Sequence, residues 1–320
     1  MSLLDAFRMK TGRPTLLDRE ARLAYGMLLP TFTVVLCLVI FPVIWNIWLS
    51  LKPVTLGELR DISLLKPNLT FENFLKVFRD RDFVPVLLTT LTYTIVGSAL
   101  SILLGLLAAL LVHGEFKGRS FLRALFISPY IAPVVAVTFT WSFILDPQLG
   151  VINWLAIRLG LWEQPIAFFS QRWFNLEILG MVFRLPLALI SVILFEGWRY
   201  FPFAFLFILA RLQAIPLDFY KASSVDGASP FQRFFHITLP QLATTLSTLF
   251  LFRFIWTINK FDDIFLLTGG QSGTKVMTIK VYEYAFGEFN IGAGSAAAMV
   301  LFFILTFFLF IYFRWILKES

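Results

Sequence analysis

The chain has 320 residues, of which 58% are hydrophobic, 15% are charged and 38 are phenylalanine. A soluble domain of this length could not cover so much apolar surface, so the composition predicts a protein embedded in a lipid bilayer. The formal net charge of +7 comes from basic residues scattered over loops and flanks. Because no basic patch is interleaved with aromatic residues, we predict no nucleic-acid binding and attribute the charge to membrane orientation.

Cysteine and histidine are too scarce for several kinds of site. Cys37 is the single cysteine, and His113 and His236 are the only histidines. An intrachain disulfide, a cysteine metal site and a histidine metal cluster are therefore excluded. The sequence also contains no Walker, H-E-x-x-H or G-x-S-x-G motif. We predict no metal, no catalytic residue and no cofactor bound by this chain.

The chain begins with a polar, basic segment at residues 1–22, which we predict to be cytoplasmic and not a cleavable signal. Six apolar stretches follow, and each can cross a bilayer as a helix of about 20 residues. They are residues 23–51, 83–112, 124–145, 185–210, 237–258 and 289–313. The predicted fold class is all-α, a polytopic bundle of six transmembrane helices in one domain over residues 23–320.

An even number of spans places both termini on one side of the membrane, together with loops 113–123 and 211–236. Lysine and arginine are dense in these short loops and just before the first span, which predicts cytoplasmic termini. The two long loops of the opposite side, 52–82 and 146–184, contain phenylalanine and tryptophan anchors. They predict small ordered elements, which either dock an extracytoplasmic partner or lie in the headgroup layer.

The polar segment 216–240 interrupts two spans and has strong local signals. Pro216 and Asp218 suit the first turn of a helix, and Gly227 suits its end. Ser229, Pro230 and Gln232 then form a capping-box pattern that starts a second helix, and Leu239-Pro240 is predicted to begin the next span. The segment is thus a helix, a tight turn and a helix. A simple connection between two spans needs only a few turn residues.

This segment resembles the EAA loop of permease subunits in bacterial ABC importers. The shared pattern runs from Ala222 through Asp226-Gly227-Ala228 and Phe234 to Ile237-Thr238-Leu239-Pro240. The resemblance implies a cytoplasmic coupling helix that binds a cleft of an ATP-binding subunit. The chain departs from the family where Lys221-Ala222-Ser223 stands in place of Glu-Ala-Ala. The residues predicted to couple to the ATPase are Lys221, Ala222, Ser223, Asp226, Gly227, Ala228, Leu239 and Pro240.

A second stretch, Phe261 to Gly270 followed by Tyr282, Phe286 and residues 292–298, resembles carbohydrate permeases for maltose, trehalose and glycerol-phosphate. The resemblance implies a multi-pass protein of the bacterial inner membrane that moves a sugar, polyol or glycerol-phosphate into the cytoplasm. It also implies four kinds of partner: a second related permease, two ATP-binding subunits, an extracytoplasmic solute-binding protein and lipid. ATP and Mg would be used by the ATP-binding subunits.

Three charged residues, Glu196, Arg199 and Arg253, fall within or beside predicted spans. An isolated charge there costs about 2.5–3.5 kcal/mol on insertion scales, so each should face protein or a watery cavity. Glu196 and Arg199 are three residues apart and could neutralise each other, or they could line the pathway. Arg253 has no partner within its own span and is the better candidate for the pathway or for contact with the partner permease.

Sugar recognition needs hydrogen-bonding groups beside aromatic faces, and several polar residues of the predicted spans lie next to aromatic ones. The residues predicted to line the substrate pathway are Tyr93, Trp141, Arg253, Asn259, Asp262 and Asp263. For the polar cluster at 259–263, an interface with the partner permease is the competing interpretation. Packing inside the bundle or against lipid is the competing interpretation for any aromatic side chain.

The sequence fits two other functional classes less well. An ion-coupled secondary transporter tends to show inverted repeats and ionisable relays at the bilayer midplane, and no internal repeat is evident here. An integral-membrane enzyme should gather catalytic side chains near an interface, yet the two histidines are far apart in the sequence. A secondary transporter would also have no use for the structured polar segment 216–240.

Overall fold

The computed structural model describes residues 16–60, 68–178 and 181–319, and in this part of the chain the predicted all-α architecture is confirmed. The helices are α1 (Leu16–Val35), α2 (Phe41–Ser50), α3 (Glu72–Arg79), α4 (Phe83–His113), α5 (Arg119–Ile131), α6 (Val134–Ile144), α7 (Val151–Arg158), α8 (Leu187–Gln213), α9 (Leu217–Val225), α10 (Pro230–Arg233), α11 (Leu239–Ile258), α12 (Asp262–Thr268), α13 (Met277–Tyr282) and α14 (Ile291–Glu319). One antiparallel hairpin joins β1 (Phe174–Ile178) to β2 (Met181–Leu185).

Five helical segments are long and apolar enough to span a membrane, and a bent pair makes a sixth. The five are Leu23–Ser50, Phe83–His113, Leu187–Gln213, Pro230–Ile258 and Ile291–Arg314. The predicted spans at the two ends of the chain and the one at 83–112 agree closely with these bounds. The predicted N-terminal segment 1–22 lies mostly outside the described residues.

The third predicted span, 124–145, is broken. α5 and α6 meet at an angle of 99° across Ala132 and Pro133. Proline has no N–H for the helical ladder and pushes the residue before it out of the helical region, and Ala132 is indeed extended at φ −64° and ψ 140°. The break leaves backbone carbonyls that need donors at membrane depth. Arg199 of α8 supplies them, donating to Pro129 O at 3.4 Å and to Ala132 O at 3.0 Å.

The centre of the bundle is the crossing of α4 and α8, which have the most extensive contact of any two helices in the described chain. Gly105 permits the close approach. A Cβ atom at this position would lie 2.7 Å from Ala204 Cβ and 2.8 Å from the Phe205 backbone nitrogen. Small residues at helix crossings allow backbones to pack closely, which is how membrane helices gain van der Waals contact.

The first span is peripheral. α1 continues through a π-helical turn (Leu36–Ile40) into α2, and its apolar side chains are exposed over most of this length. Only the end of α2 packs on the bundle, against α14. Asn73 of α3 caps this end by donating to Ser50 O at 2.9 Å and Lys52 O at 2.7 Å, which satisfies carbonyls that a helix terminus leaves free.

Both long loops contain ordered elements, as predicted for them. Loop 52–82 contains α3 and a short 3₁₀ turn (Leu56–Arg60), and loop 146–184 contains α7 and the β-hairpin. The hairpin was not predicted, although Phe174-Asn175-Leu176-Glu177-Ile178 alternates apolar and polar residues with the period of a strand.

A charged network ties the start of α4 to the segment before α14. Asp80 accepts hydrogen bonds from Tyr284 Oη at 2.5 Å and Lys280 Nζ at 2.8 Å. Burial alone would raise the pKa of Asp80, but these two hydrogen bonds, the backbone N–H of Asp82 and the positive charge of Lys280 together lower the pKa to about 2. The carboxylate is therefore held in its charged form and links residues 200 positions apart in the sequence.

Candidate functional site

Segment 216–240 forms the helix, turn and helix that its sequence predicts. α9 ends at Val225, and two residues later Gly227 has a φ of +78°, in the left-handed region that glycine tolerates after a helix end. The predicted capping box is present: Ser229 Oγ accepts from Gln232 N at 3.3 Å, and Ser229 N donates to Gln232 Oε1 at 2.8 Å. Pro230 occupies the first turn of α10, where its missing N–H costs nothing.

The prediction that Leu239-Pro240 begins the fifth span needs correction. The helix already starts at Pro230 and runs through a π-helical turn (Phe234–Thr238) into α11 without a break. Proline removes one hydrogen bond of the helical ladder, and the wider turn immediately before Pro240 absorbs that loss. The second helix of the segment is therefore a rigid extension of the span itself.

Hydrogen bonds fasten the rest of the segment to the same span. Tyr220 of α9 bonds through its hydroxyl to Thr238 Oγ1 at 2.9 Å, and Arg233 Nη1 donates to Ser224 Oγ at 3.0 Å. On the α8 side, Arg211 donates to both the backbone and the side chain of Gln241. These contacts tie α9 to the helix that continues into α11, and tie α11 to α8.

The outer surface of the segment is exposed and partly apolar. Val225 is 88% exposed and Phe231 is 72% exposed, although both are large apolar side chains. Between α9 and α10 lies an open cleft of about 380 Å³. Its lining residues are Ser223, Asp226, Gly227, Ala228, Gln232, Arg233, His236 and Ile237. A surface of this kind fits a protein partner better than water.

The predicted coupling residues fall into three places. Ser223, Asp226, Gly227 and Ala228 line the cleft. Lys221 and Ala222 lie on the exposed side of α9, where Lys221 Nζ is 3.3 Å from an Asp218 carboxylate oxygen. Leu239 and Pro240 lie inside the continuous helix, beyond the cleft. Their coupling role stays a prediction.

A second polar site lies inside the bundle and is centred on Glu196 of α8. Arg253 of α11 forms an ion pair with Glu196 Oε1, and Thr257 Oγ1 donates to the same oxygen at 3.0 Å. Tyr93 of α4 donates to Oε2 at 2.9 Å, and Ser101 accepts from Arg253 Nε at 3.1 Å. Glu196 and Arg253 are 0% and 1% exposed, respectively. The cluster thus connects the three most central helices of the bundle.

This arrangement differs from the pairing considered in the sequence. Glu196 pairs with Arg253, from a different span, instead of with Arg199 three residues away. Arg199 serves the backbone carbonyls at the break between α5 and α6. The charge of Arg253 is neutralised within the chain.

A third polar surface lies at the end of α11 that is far from segment 216–240. An open cleft of about 370 Å³ is lined by Ile255, Trp256, Asn259, Lys260, Phe261 and Asp262. Lys260 Nζ lies 4.0 Å from the centroid of the Tyr200 ring, hydrogen-bonds to its hydroxyl group and lies 3.5 Å from Asp263 Oδ2. The cleft combines aromatic faces with amide, ammonium and carboxylate groups.

The six predicted pathway residues are therefore divided. Asn259 and Asp262 line the open cleft. Tyr93, Arg253 and Asp263 are buried, with Asp263 beneath Lys260. Trp141 packs between α6 and α8, with its ring centroid 5.4 Å from that of Phe195. Their pathway role stays a prediction.

Two residues of this region were missed by sequence reasoning. Lys260 could have been noticed, because it is a cation two residues before Asp262 in a largely apolar region. Tyr200 carries no such signal, since its partner Lys260 is 60 residues away in the sequence. Among the described residues, no group of three or more histidine, cysteine, aspartate or glutamate side chains could hold a metal ion.

Comparison with known proteins adds an identity to this geometry. Residues 101–318 match the family described as binding-protein-dependent transport system inner membrane component. The trehalose/maltose transport system permease protein MalF of Thermococcus litoralis is 34% identical over 301 residues, covering 92% of this chain and 94% of that protein. The inner membrane ABC transporter permease protein YcjO of Escherichia coli is 34% identical over 282 residues, covering 87% and 89%.

The fold is shared with a bacterial ABC transporter involved in the import of the acidic polysaccharide alginate. The TM-score is 0.72 at 23% identity, and the match covers 92% of this chain and 96% of that chain. Because the chain matches this family, the interpretations as an ion-coupled secondary transporter and as an integral-membrane enzyme are not supported. The chain belongs to the inner membrane components of binding-protein-dependent transport systems and is a multi-pass ABC transporter permease.

Proposed function

We propose that this permease is one of two related membrane subunits of an ABC importer that moves a carbohydrate into the cytoplasm. The substrate class is a di- or oligosaccharide, a polyol or glycerol-phosphate. Support comes from relatives named as a trehalose/maltose permease, a trehalose permease and a glycerol-3-phosphate permease. Two ATP-binding subunits, which use ATP and Mg, drive the pair, and an extracytoplasmic solute-binding protein delivers the substrate.

The observation that carries the proposal is the exposed surface of segment 216–240, fused to the fifth span. Val225 and Phe231 expose large apolar side chains on this surface, so a protein surface should cover them. We place this surface in a groove of one ATP-binding subunit. Closing of the ATPase pair then moves α9, and the continuous helix from Pro230 carries the movement into the bundle.

This assignment fixes the orientation of the chain. Segment 216–240 is cytoplasmic, and an even number of spans places residues 1–22 and the C-terminus on the same side. The N-terminal segment contains five lysine and arginine residues, as expected of a segment retained in the cytoplasm. They are Arg8, Lys10, Arg13, Arg19 and Arg22. Residues 23–320 form the permease domain.

The cleft at the far end of α11 is the proposed contribution to the substrate pathway. Trp256 offers a ring for the apolar face of a sugar, and Asn259, Lys260 and Asp262 offer hydrogen-bonding groups beside it. A few convergent polar groups on an aromatic wall are typical of small-molecule sites. In this proposal the cleft is supported from inside the bundle by three buried residues, Tyr93, Arg253 and Asp263. Trp141 stabilises the packing of α6 on α8.

The coupling surface is tested by Gly227→Trp in the assembled transporter. A Cβ atom at Gly227 meets no atom of this chain within 4 Å, so the indole enters the space assigned to the ATPase. The matched control is Gly160→Trp, on the opposite membrane face, because Gly160 has a similar φ of +67° and equally open surroundings. Both variants carry the same backbone strain, about 1–2 kcal/mol.

We expect the Gly227 variant to insert normally but to lose ATP-dependent sugar uptake and to release the ATP-binding subunits during purification in mild detergent. The Gly160 variant should keep both properties. Full uptake and an intact complex with Gly227→Trp would show that the ATPase does not bind this surface.

A further inference from the structure

Helix α7 has an inverted pattern of burial. Its polar residue Asn153 is only 2% exposed and Ala156 is buried beside it. The large apolar residues of the helix and its flanks face outward. Those more than a third exposed are Leu149, Val151, Ile152, Trp154, Leu155, Ile157, Leu159 and Leu161. In water this arrangement would be unfavourable, because it exposes apolar area and buries an amide.

The orientation of α7 is fixed by Asn153. Its Nδ2 atom donates to Asp146 O at 3.1 Å and to Ile166 O at 3.0 Å, while its Oδ1 atom accepts from Ile166 N at 2.8 Å. These three hydrogen bonds fasten the helix to the chain on both sides of it. Rotation of the helix to hide its apolar side chains would break all three and leave the amide and its backbone partners unpaired. The hydrogen bonds of Asn153 therefore hold the apolar face of α7 outward.

α7 is also held at the edge of the membrane. Only residues 145–150 separate it from the end of the transmembrane helix α6, and these residues form a tight turn in which Gly150 N donates to Asp146 O at 3.0 Å. A Cβ atom at Gly150 would come within 2.4 Å of the Asp146 carbonyl oxygen, so only glycine fits this turn. The exposed apolar side chains of α6, Phe139 and Phe143, continue along the chain into Leu149.

The charges of this region suit the surface of a bilayer. Between Asp146 and Glu163 the only charged residue is Arg158. Its guanidinium lies 4.7 Å from the centroid of the Trp154 ring, so cation and indole point the same way. Tryptophan and arginine are typical of the interface between acyl chains and headgroups, where the ring is half buried and the cation meets phosphate.

We propose that α7 lies in the lipid headgroup layer of the membrane face opposite segment 216–240. Its apolar side chains enter the boundary of the acyl chains, and Arg158 binds lipid phosphates. Lipid is thus the partner of α7, and the helix anchors the turn that follows the bent span to the membrane surface.

Depth measurements on the full chain test the proposal. Cys37 is replaced by serine, since it is the single cysteine, and Leu155→Cys and Leu159→Cys are labelled with a nitroxide in separate variants. The control is Glu163→Cys, just beyond the helix and exposed. Each labelled protein is reconstituted without partner subunits into vesicles of phosphatidylcholine and phosphatidylglycerol. Collision rates with oxygen, which concentrates in lipid, and with a water-soluble nickel chelate are compared by paramagnetic resonance.

At positions 155 and 159 we expect collisions with oxygen to exceed those with the nickel chelate, and at position 163 we expect the reverse. Arg158→Gln in the same labelled variants should shift the label toward water, measured as a lower oxygen-to-nickel ratio. If positions 155 and 159 resemble position 163 in properly inserted, monodisperse protein, the helix faces water, its surface is left for a protein partner, and the proposal is wrong.

Discussion

The buried ion pair between Glu196 and Arg253 allows the sharpest quantitative prediction about the bundle. Arg253→Met removes the cation and leaves Glu196 with only the hydroxyl groups of Thr257 and Tyr93, at 3.0 Å and 2.9 Å. Both members of the pair are fully buried. Breaking such a pair by removing one partner costs about 3–5 kcal/mol, because the remaining charge has no counter-charge and no water.

The double variant Glu196→Gln/Arg253→Met should recover most of this loss. The glutamine oxygen can accept from one of the two hydroxyl groups, its amide nitrogen can donate to the other, and the Glu196–Arg253 pair leaves no charge behind. Replacing both members of a buried pair by uncharged groups of similar size is often neutral in stability. The two substitutions are therefore expected to be strongly non-additive, as is usual for residues in direct contact.

The measurement is the fraction of monodisperse protein that survives heating in detergent, followed by size-exclusion chromatography. With an unfolding entropy of about 2.1 cal/mol/K per residue over 320 residues, a loss of about 3–5 kcal/mol corresponds to a drop in the midpoint of roughly 4–8 °C. Lys221→Met is the matched control, since it breaks the exposed ion pair with Asp218. A pair of that kind contributes at most about 1 kcal/mol, so the control midpoint should hardly move.

Three outcomes would refute this reasoning. Arg253→Met could unfold at the wild-type midpoint, the double variant could be no more stable than the single variant, or the Lys221 control could fall as far as Arg253→Met. Any of them would mean that the pair is not desolvated in the bundle.

The remaining predictions concern the helix crossing, the loop network and the cap. Gly105→Val should destabilise the α4–α8 crossing by about 1–3 kcal/mol, whereas Gly26→Val, at a helical glycine with open surroundings, should leave the midpoint of thermal unfolding unchanged. The folded pKa of Asp80, about 2, lies below its ordinary 3.8. Its contribution is thus complete above about pH 4 and is lost as the pH falls toward 2. The full shift equals about 2.4 kcal/mol, which screening reduces to about 1 kcal/mol; acid titration of stability in the wild type and in Asp80→Asn should differ by that amount. Ser229→Ala should cost about 1 kcal/mol of local stability at the cap, measured as faster amide exchange at Gln232.

Much of segment 216–240 could be predicted from the sequence because its signals are local. The glycine at 227 and the capping box at Ser229 each depend on residues no more than three apart. The six apolar stretches were predictable for a similar reason, because the hydropathy of a span depends only on one continuous segment of sequence. Pro240 misled the placement of the fifth span, because proline usually marks the first turn of a helix and here lies inside one.

The buried polar cluster could not be found in this way. Arg253 is 57 residues from Glu196 and 152 residues from Ser101, so only the packing of three helices brings them together. Sequence spacing favoured Arg199 as the partner of Glu196. The spacing does not reveal that the helix break at Pro133 leaves backbone carbonyl groups without donors, and that Arg199 donates to one of them, Ala132 O.

The two polar sites and segment 216–240 are connected through α11. This helix is continuous from Pro230 at the exposed surface to Ile258 beside the far cleft. Near its far end, Arg253 joins it to α8 and α4 through Glu196, and near its middle Gln241 accepts hydrogen bonds from Arg211 of α8. If the segment couples to an ATPase as proposed, we expect a displacement of α10 to move α11 and α8 as a pair, together with the residues around Asn259.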